Sequence, residues 1–138
     1  MKEAGFEVLD HGSDLRLKAW GVDAPSTLRN LLRGVMELAV KVETVRAENV
    51  VEFEVKAPEF ERLVVRAVNE MIYLMDAERM VFKDADVEVH FGSCVTAKVR
   101  LYGDRVDRRQ HELRVQPKAA TYGNAVVTPH LVELTIDV

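Results

Sequence analysis

The sequence predicts an α+β fold: a two-layer sandwich in which two amphipathic helices pack on a largely antiparallel or mixed β-sheet. Three observations carry this reading. Two segments place apolar residues at helical spacing, most of the remainder alternates apolar and polar residues, and the element order does not repeat a βαβ unit. The 138 residues are 48% apolar and 30% charged, proportions of a chain that folds around a core. No repeat, low-complexity tract or Gly/Ser/Pro-rich linker interrupts them, so residues 1–138 are read as one domain.

The first helix is expected after Asp23-Ala24-Pro25-Ser26, where Pro suits a first turn and Asp or Ser suits the cap. Its stripe is Leu28, Leu31, Leu32, Val35, Met36 and Ala39. The second begins near Pro58, with Glu59 and Glu61 at the positive end of the helix dipole. Phe60, Leu63, Val64, Ala67, Val68, Met71, Ile72 and Met75 form its apolar face, and Arg62, Arg66, Asn69, Glu70 and Tyr73 the opposite one. Val87–Phe91 and Val95–Tyr102 alternate as strands around a hairpin connection at Gly92-Ser93. Shorter strands are expected at residues 6–10, 15–20, 50–56, 111–116, 122–127 and 131–138. Alternation implies one covered face and one wet face, the pattern of antiparallel sheets.

Several function classes are excluded or left without support. The longest apolar run is Met71–Met75, far short of the roughly 20 residues a membrane span needs. Lys2, Glu3, Glu7 and Asp10 leave no room for a secretory h-region, and the single cysteine, Cys94, fits a reducing compartment. A cytoplasmic location is therefore expected. Neither GxxxxGK[ST] nor GxGxxG occurs, and His11, His90, His111 and His130 stand singly without zinc-ligand spacing. Cys94 reads as a buried, inert thiol within a strand, and Asp84-x-Asp86 as a polar turn without the Gly and Glu of a calcium loop. Ser13, His11 and Asp14 resemble a hydrolase triad in composition, but neighbours this close in sequence seldom face one another correctly. A net charge of −4 argues against tight, charge-driven nucleic-acid binding. Arg100, Arg105, Arg108, Arg109 and Arg114, interrupted by Asp104, Asp107 and Glu112, read as a solvated hairpin face. The alternative is a contact surface for RNA phosphate or an acidic partner.

Three segments are poorly explained by packing. They are Asp10-His11-Gly12-Ser13-Asp14 between two strands, Pro117–Tyr122 with one lysine among small residues, and Leu134–Val138. At the last of these, the Asp137 carboxylate stands beside the terminal carboxylate of Val138, and two such groups repel unless a cation or basic group neutralises them. Oxygen clusters of this kind bind hard divalent ions, and a plain polar turn and chain end is the other reading.

The order of these segments resembles the archease family. That family opens with Asp-His-Thr-Ala-Asp, and here Asp10-His11-Gly12-Ser13-Asp14 precedes Leu15 to Trp20-Gly21. Its second helix carries Asn-Glu-Leu-Leu-Tyr-Leu, matched by Asn69-Glu70-Met71-Ile72-Tyr73-Leu74. A late Val-Lys-Ala-Val-Thr-Tyr-His is matched by Pro117 to Gly123, and a closing Asp-Ile by Asp137-Val138. Gly12 and Ser13 replace Thr and Ala, and Pro117, Ala120 and Gly123 replace Val, Val and His.

The resemblance implies an accessory protein, not an enzyme, for the RtcB-type RNA ligase of tRNA splicing and RNA repair. Archeases promote that ligase's guanylylation and its multiple turnover. The family's divalent-cation site, commonly calcium, with Mg2+ or Mn2+ as alternatives, carries over onto Asp14, Asp137 and Val138. Asp10 is a further candidate for that site, with the shaping of the turn, together with His11, as its other role. Lys118 and His11 are candidate ligase contacts, with an ordinary surface lysine as the other reading of Lys118. Two other classes remain open: a chaperone-like module for RNA-modifying enzymes that needs no metal, and a small hydrolase using His11 and Asp14.

Overall fold

The computed structural model describes the backbone of residues 5–11 and 14–138, and the side chains of all these except residues 10, 11 and 14. In chain order the elements are β1 (Phe6–His11), β2 (Asp14–Trp20), α1 (Ala24–Ala39), a 3-10 turn (Val42–Thr44), β3 (Asn49–Ala57), α2 (Phe60–Ala77), β4 (Met80–Phe91), β5 (Val95–Arg105), β6 (Ala119–Val127) and β7 (Leu131–Asp137). All strand pairings between them are antiparallel.

The strands form two sheets instead of one. The hairpins at the two ends of the chain build a four-stranded sheet in the order β1-β2-β7-β6, and the middle strands a three-stranded sheet, β3-β5-β4. Period-two alternation reports that one face of each strand is covered, but not which strand is its neighbour. Each helix serves both sheets, α1 against β2 and β4, and α2 against β6 and β3. That double duty widens the buried arc of each helix. Leu38 joins the expected stripe of α1, and Val65 that of α2. The strands contribute Leu17, Ala19, Val132, Leu134 and Ile136 from the larger sheet, and Ala97, Val99, Leu101 and Phe82 from the smaller, to one continuous core.

Local rules account for the helix starts. Asp23 caps α1 by accepting from the Ser26 amide at 2.9 Å, with Pro25 in the first turn. Glu59 is the extended cap residue of α2 and Glu61 sits in its first turn. Gly103 is required by close approach: a Cβ there would meet the Val81 carbonyl oxygen at 2.1 Å and the Phe82 ring at 2.6 Å.

Three local expectations are corrected. Cys94 is exposed in the β4–β5 connection, where its carbonyl accepts from Gly92, and is not a buried strand residue. Asp84 and Asp86 lie within β4, which starts at Met80. A register irregularity between Phe82 and Asp84 breaks the alternation that would have revealed the strand. Residues 111–116 form no strand beyond an isolated bridge from Leu113 to Val40, because the end of α1 takes their amides: Arg114 N–H donates to Ala39 O and Val115 N–H to Leu38 O, each at 2.9 Å.

Candidate functional site

The register of the larger sheet assembles the sequence-predicted residues at one end. His11 of β1 pairs with Asp14 of β2. On the other side of β2, Leu15 pairs with Ile136 of β7, so Asp14 and Asp137 stand one step further along the same register. Asp137 in turn pairs with Ala119 of β6, and the Lys118 amide donates to the Asp137 carbonyl at 2.7 Å. A single row therefore crosses all four strands: His11, Asp14, Asp137, Ala119, with Lys118 at its end. Position 10 falls in the next row with Leu15, Ile136 and Ala120, so Asp14 and not Asp10 shares a row with Asp137.

The side chains of Asp10, His11 and Asp14 lie outside the described residues, as do Gly12 and Ser13 altogether; the hydrolase reading of His11, Ser13 and Asp14 therefore has no described geometry. Among the described residues, Asp137 is exposed and makes no ion pair, Val138 is 41% exposed, and no three His, Cys, Asp or Glu side chains are grouped to hold a metal. A cation site here thus depends on residue 14. Asp137 offers a carboxylate, the oxygen donor type that suits a hard cation.

Two residues to which the sequence assigned no site role hold this end of the sheet together. Arg16, two positions along β2 from Asp14, donates from Nε to Glu133 Oε1 at 3.3 Å and from Nη1 to Thr135 Oγ1 at 3.1 Å, and also to the carbonyls of Gly123 and Asn124. Its charge is thereby engaged by Glu133, not by Asp137. The β6 irregularity between Thr121 and Val126 exposes the carbonyls that Arg16 takes. Asn69, assigned from its spacing to the polar face of α2, turns to β6 and makes a two-way amide clamp. Its Oδ1 accepts from Ala120 N–H at 2.7 Å and its Nδ2 donates to Ala120 O at 3.3 Å. An Asn flanked by apolar stripe residues was the available signal, but helix spacing alone does not show which strand it reaches.

At the other end of the smaller sheet lies a buried polar knot. Asp104 accepts the amides of Arg46 (2.7 Å) and Glu48 (2.9 Å), and its Oδ2 lies 3.0 Å from His111 Nε2. His111 Nδ1 accepts the Asp107 amide at 2.9 Å, so the ring proton belongs on Nε2, where it donates to Asp104. Burial alone would disfavour the charged Asp104. The Glu48 amide, the His111 ring and the Arg46 amide outweigh it and hold the carboxyl below the usual aspartate range. This knot ties two loops to the end of β5, and its polar groups are engaged with one another.

A two-helix, two-sheet α+β domain whose polar row is built from both ends of the chain defines a class before it defines a family. The profile of the archease protein family (MTH1598/TM1083) matches residues 6–138, and the chain belongs to that family. It is 25% identical over 118 residues to a protein archease of Pyrococcus abyssi, covering 85% of this chain and 83% of that one. It is 28% identical over 116 residues to a protein archease of Archaeoglobus fulgidus, covering 84% and 83%. The solution structure of Methanobacterium thermoautotrophicum protein 1598 superposes with a TM-score of 0.78 at 19% identity, over 99% of this chain and all of that one, and so shares its fold.

Proposed function

We propose that this chain is a non-catalytic accessory protein that activates an RtcB-type RNA ligase, promoting its guanylylation and its multiple turnover. The observation that carries the reading is the register that sets Asp14 and Asp137 one step beyond the Leu15–Ile136 pair, with Lys118 beside them. Family membership supports the same reading, since the row joins the first, third and fourth of the segments on which the resemblance rests.

Asp14, Asp137 and the main-chain oxygens of Val138 would hold a divalent cation, Ca2+ before Mg2+ or Mn2+. Bound there, the ion supplies charge neutralisation between carboxylates that otherwise repel. The chain's own residues then form a rigid edge: strand pairing fixes the backbone at positions 14 and 137, Arg16 and Asn69 pin the flanking strands, and exposed Lys118, together with His11, would supply contacts to the ligase. Activation of this kind is positioning and a shift of population toward the competent ligase conformation, with no covalent step on the accessory protein.

The test is single-turnover guanylylation of a purified cognate ligase with GTP, followed by multiple-turnover ligation. The wild-type chain should accelerate both, and Asp14→Ala and Asp137→Ala should lose most of the effect while melting normally. Both variants stimulating like wild type would sink the site assignment and favour metal-independent, chaperone-like docking. Turnover of a nucleotide or ester by the chain alone would overturn the non-catalytic reading.

A further inference from the structure

The segment from Leu113 to Lys118 runs beside α2 and leaves two depressions, of about 360 Å³ and about 520 Å³. Asp76 and Gln116 line both, so the two join into one groove. Its lining holds four cations, Arg79, Arg108 and Arg114 at one end and Lys118 at the other, against a single carboxylate, Asp76. The whole chain carries a net charge of −4, so this strip opposes the sign of the molecule. Among the described residues the Arg79, Arg108 and Lys118 side chains have no hydrogen-bond or ion-pair partner, and Arg114 gives one donor to the Glu37 carbonyl at 3.1 Å. Between the cations lie apolar walls from Met75, Leu113 and Val115, and the ring of Tyr73, 61% exposed, stands beside Lys118 in the second depression. Apart from a ligase contact at Lys118, none of this is used by the sheet-end row.

We propose that this groove is a weak binding site for single-stranded nucleic acid, with phosphates on the four cations and a base against Tyr73. Guanidinium forks match phosphate oxygens in geometry and charge. An exposed aromatic ring in a cationic groove is the arrangement on which unpaired bases stack. An acidic peptide would engage the cations but give the ring no flat partner. Six residues of chain span at most about 20 Å, enough for a few nucleotides. Four phosphate contacts on a net acidic chain give modest affinity, in keeping with the expectation of no tight nucleic-acid binding. The Lys118 end of the groove opens at the Asp137 end of β7, so a bound strand would run toward the row described above.

The experiment is fluorescence anisotropy of a labelled oligouridylate of about ten nucleotides with the isolated full chain, which keeps it independent of ligase stimulation. Four phosphates neutralised give a slope of log affinity against log salt near −2.8, or about 50-fold weaker binding between 50 and 200 mM salt. Arg79→Gln/Arg108→Gln/Arg114→Gln should reduce the slope to about −0.7. Tyr73→Ala should weaken binding several-fold with the slope unchanged. Arg62→Gln and Arg100→Gln, which lie outside the groove, should bind as wild type. If the triple variant does not melt cooperatively, Arg108→Gln alone, an exposed residue, should lower the slope by about 0.7. Undetectable binding at low salt, a wild-type slope in the groove variants, or equal competition by oligoglutamate of the same charge would each overturn the proposal.

Discussion

Replacing Asp104 by alanine should be among the most destabilising single changes outside the apolar core. The carboxylate, only 5% exposed, serves three donors that have no other acceptor in reach: the amides of Arg46 and Glu48 and His111 Nε2. Gln110 also approaches it at 3.3 Å but keeps a second acceptor in Thr44 O. Each buried donor left unpaired costs about 1–3 kcal/mol, and water entering the vacated space offsets part of the sum. The net loss should be on the order of 3–5 kcal/mol, the sum for three unpaired donors less the part that water recovers. At roughly 4 °C per kcal/mol for a chain of this length, the melting temperature should fall by about 12–20 °C. Asp104→Asn keeps the volume but turns an amide donor toward backbone donors, so most of the loss should remain. The sign of the pH dependence is fixed by the lowered pKa of Asp104. Stability held by a depressed carboxyl is fully present above the unfolded aspartate value near 3.9 and is lost as pH falls through the lower folded value. Urea melts of wild type and Asp104→Ala should therefore differ by a constant amount above about pH 5 and converge below about pH 4. A loss under about 1 kcal/mol for both variants, or a gap that widens in acid, would refute this account of the knot.

Isothermal calorimetry with Ca2+ and Mg2+ should show one site in the wild type that Asp14→Ala and Asp137→Ala abolish, since a hard cation needs several oxygens at once. Gly103→Ala should destabilise by about 3 kcal/mol or more, because the atom its Cβ would strike is the Val81 carbonyl, which strand pairing holds in place; a thermal melt within 2 °C of wild type would contradict this. Asn69→Ala should cost about 1–3 kcal/mol and selectively speed hydrogen exchange at the Ala120 amide it now protects. Leu63→Ala, fully buried on α2, should cost about 2–5 kcal/mol in melts while sparing ligase stimulation under folding conditions.

What was legible in the sequence follows from which physics is local. The helices were, because Asp23, Pro25 and the stripes of α1 and α2 act within one or two turns of themselves. The β4–β5 hairpin was as well, although its connection extends to Cys94 and exposes that thiol. Residues 111–116 were misread because an alternating, apolar-containing segment satisfies its amides equally well from a strand or from a helix end, and here α1 supplies the carbonyls. Asp84 was misread because the irregularity beside it leaves Met80, Val81 and Phe82 buried in succession, which no alternation describes. Asp104 and His111 gave no signal at all: their bond joins a strand end to a loop, and its partners at Arg46 and Glu48 are more than fifty residues away. Asp137 and Val138 were named from their adjacent carboxylates and Asp14 was joined to them by the resemblance, whereas the row of residues 14 and 137 became visible only through the register of β7 against β2 and β6.

The division of labour within the fold explains why function should sit at edges. Each helix touches both sheets, so a wide arc of α1 and α2 is consumed by the core and cannot also serve a partner. The outer face of the smaller sheet carries cross-strand contacts, an ion pair of Arg100 with Glu52 and a hydrogen bond from Tyr102 to Asp86. Two further surfaces are the end of the larger sheet and the flank of α2 from Tyr73 to Asp76. Those two surfaces meet at Lys118, whose backbone is tied to Asp137 while its side chain stays exposed. The sheet end also depends on pairing between residues more than a hundred positions apart, as with Leu15 and Ile136. Residues 14 and 137 are thus brought together only in the folded chain. Core substitutions should therefore reduce activation in proportion to the unfolded fraction, whereas substitutions in the row should reduce it at full folding, and that contrast separates a site from a scaffold.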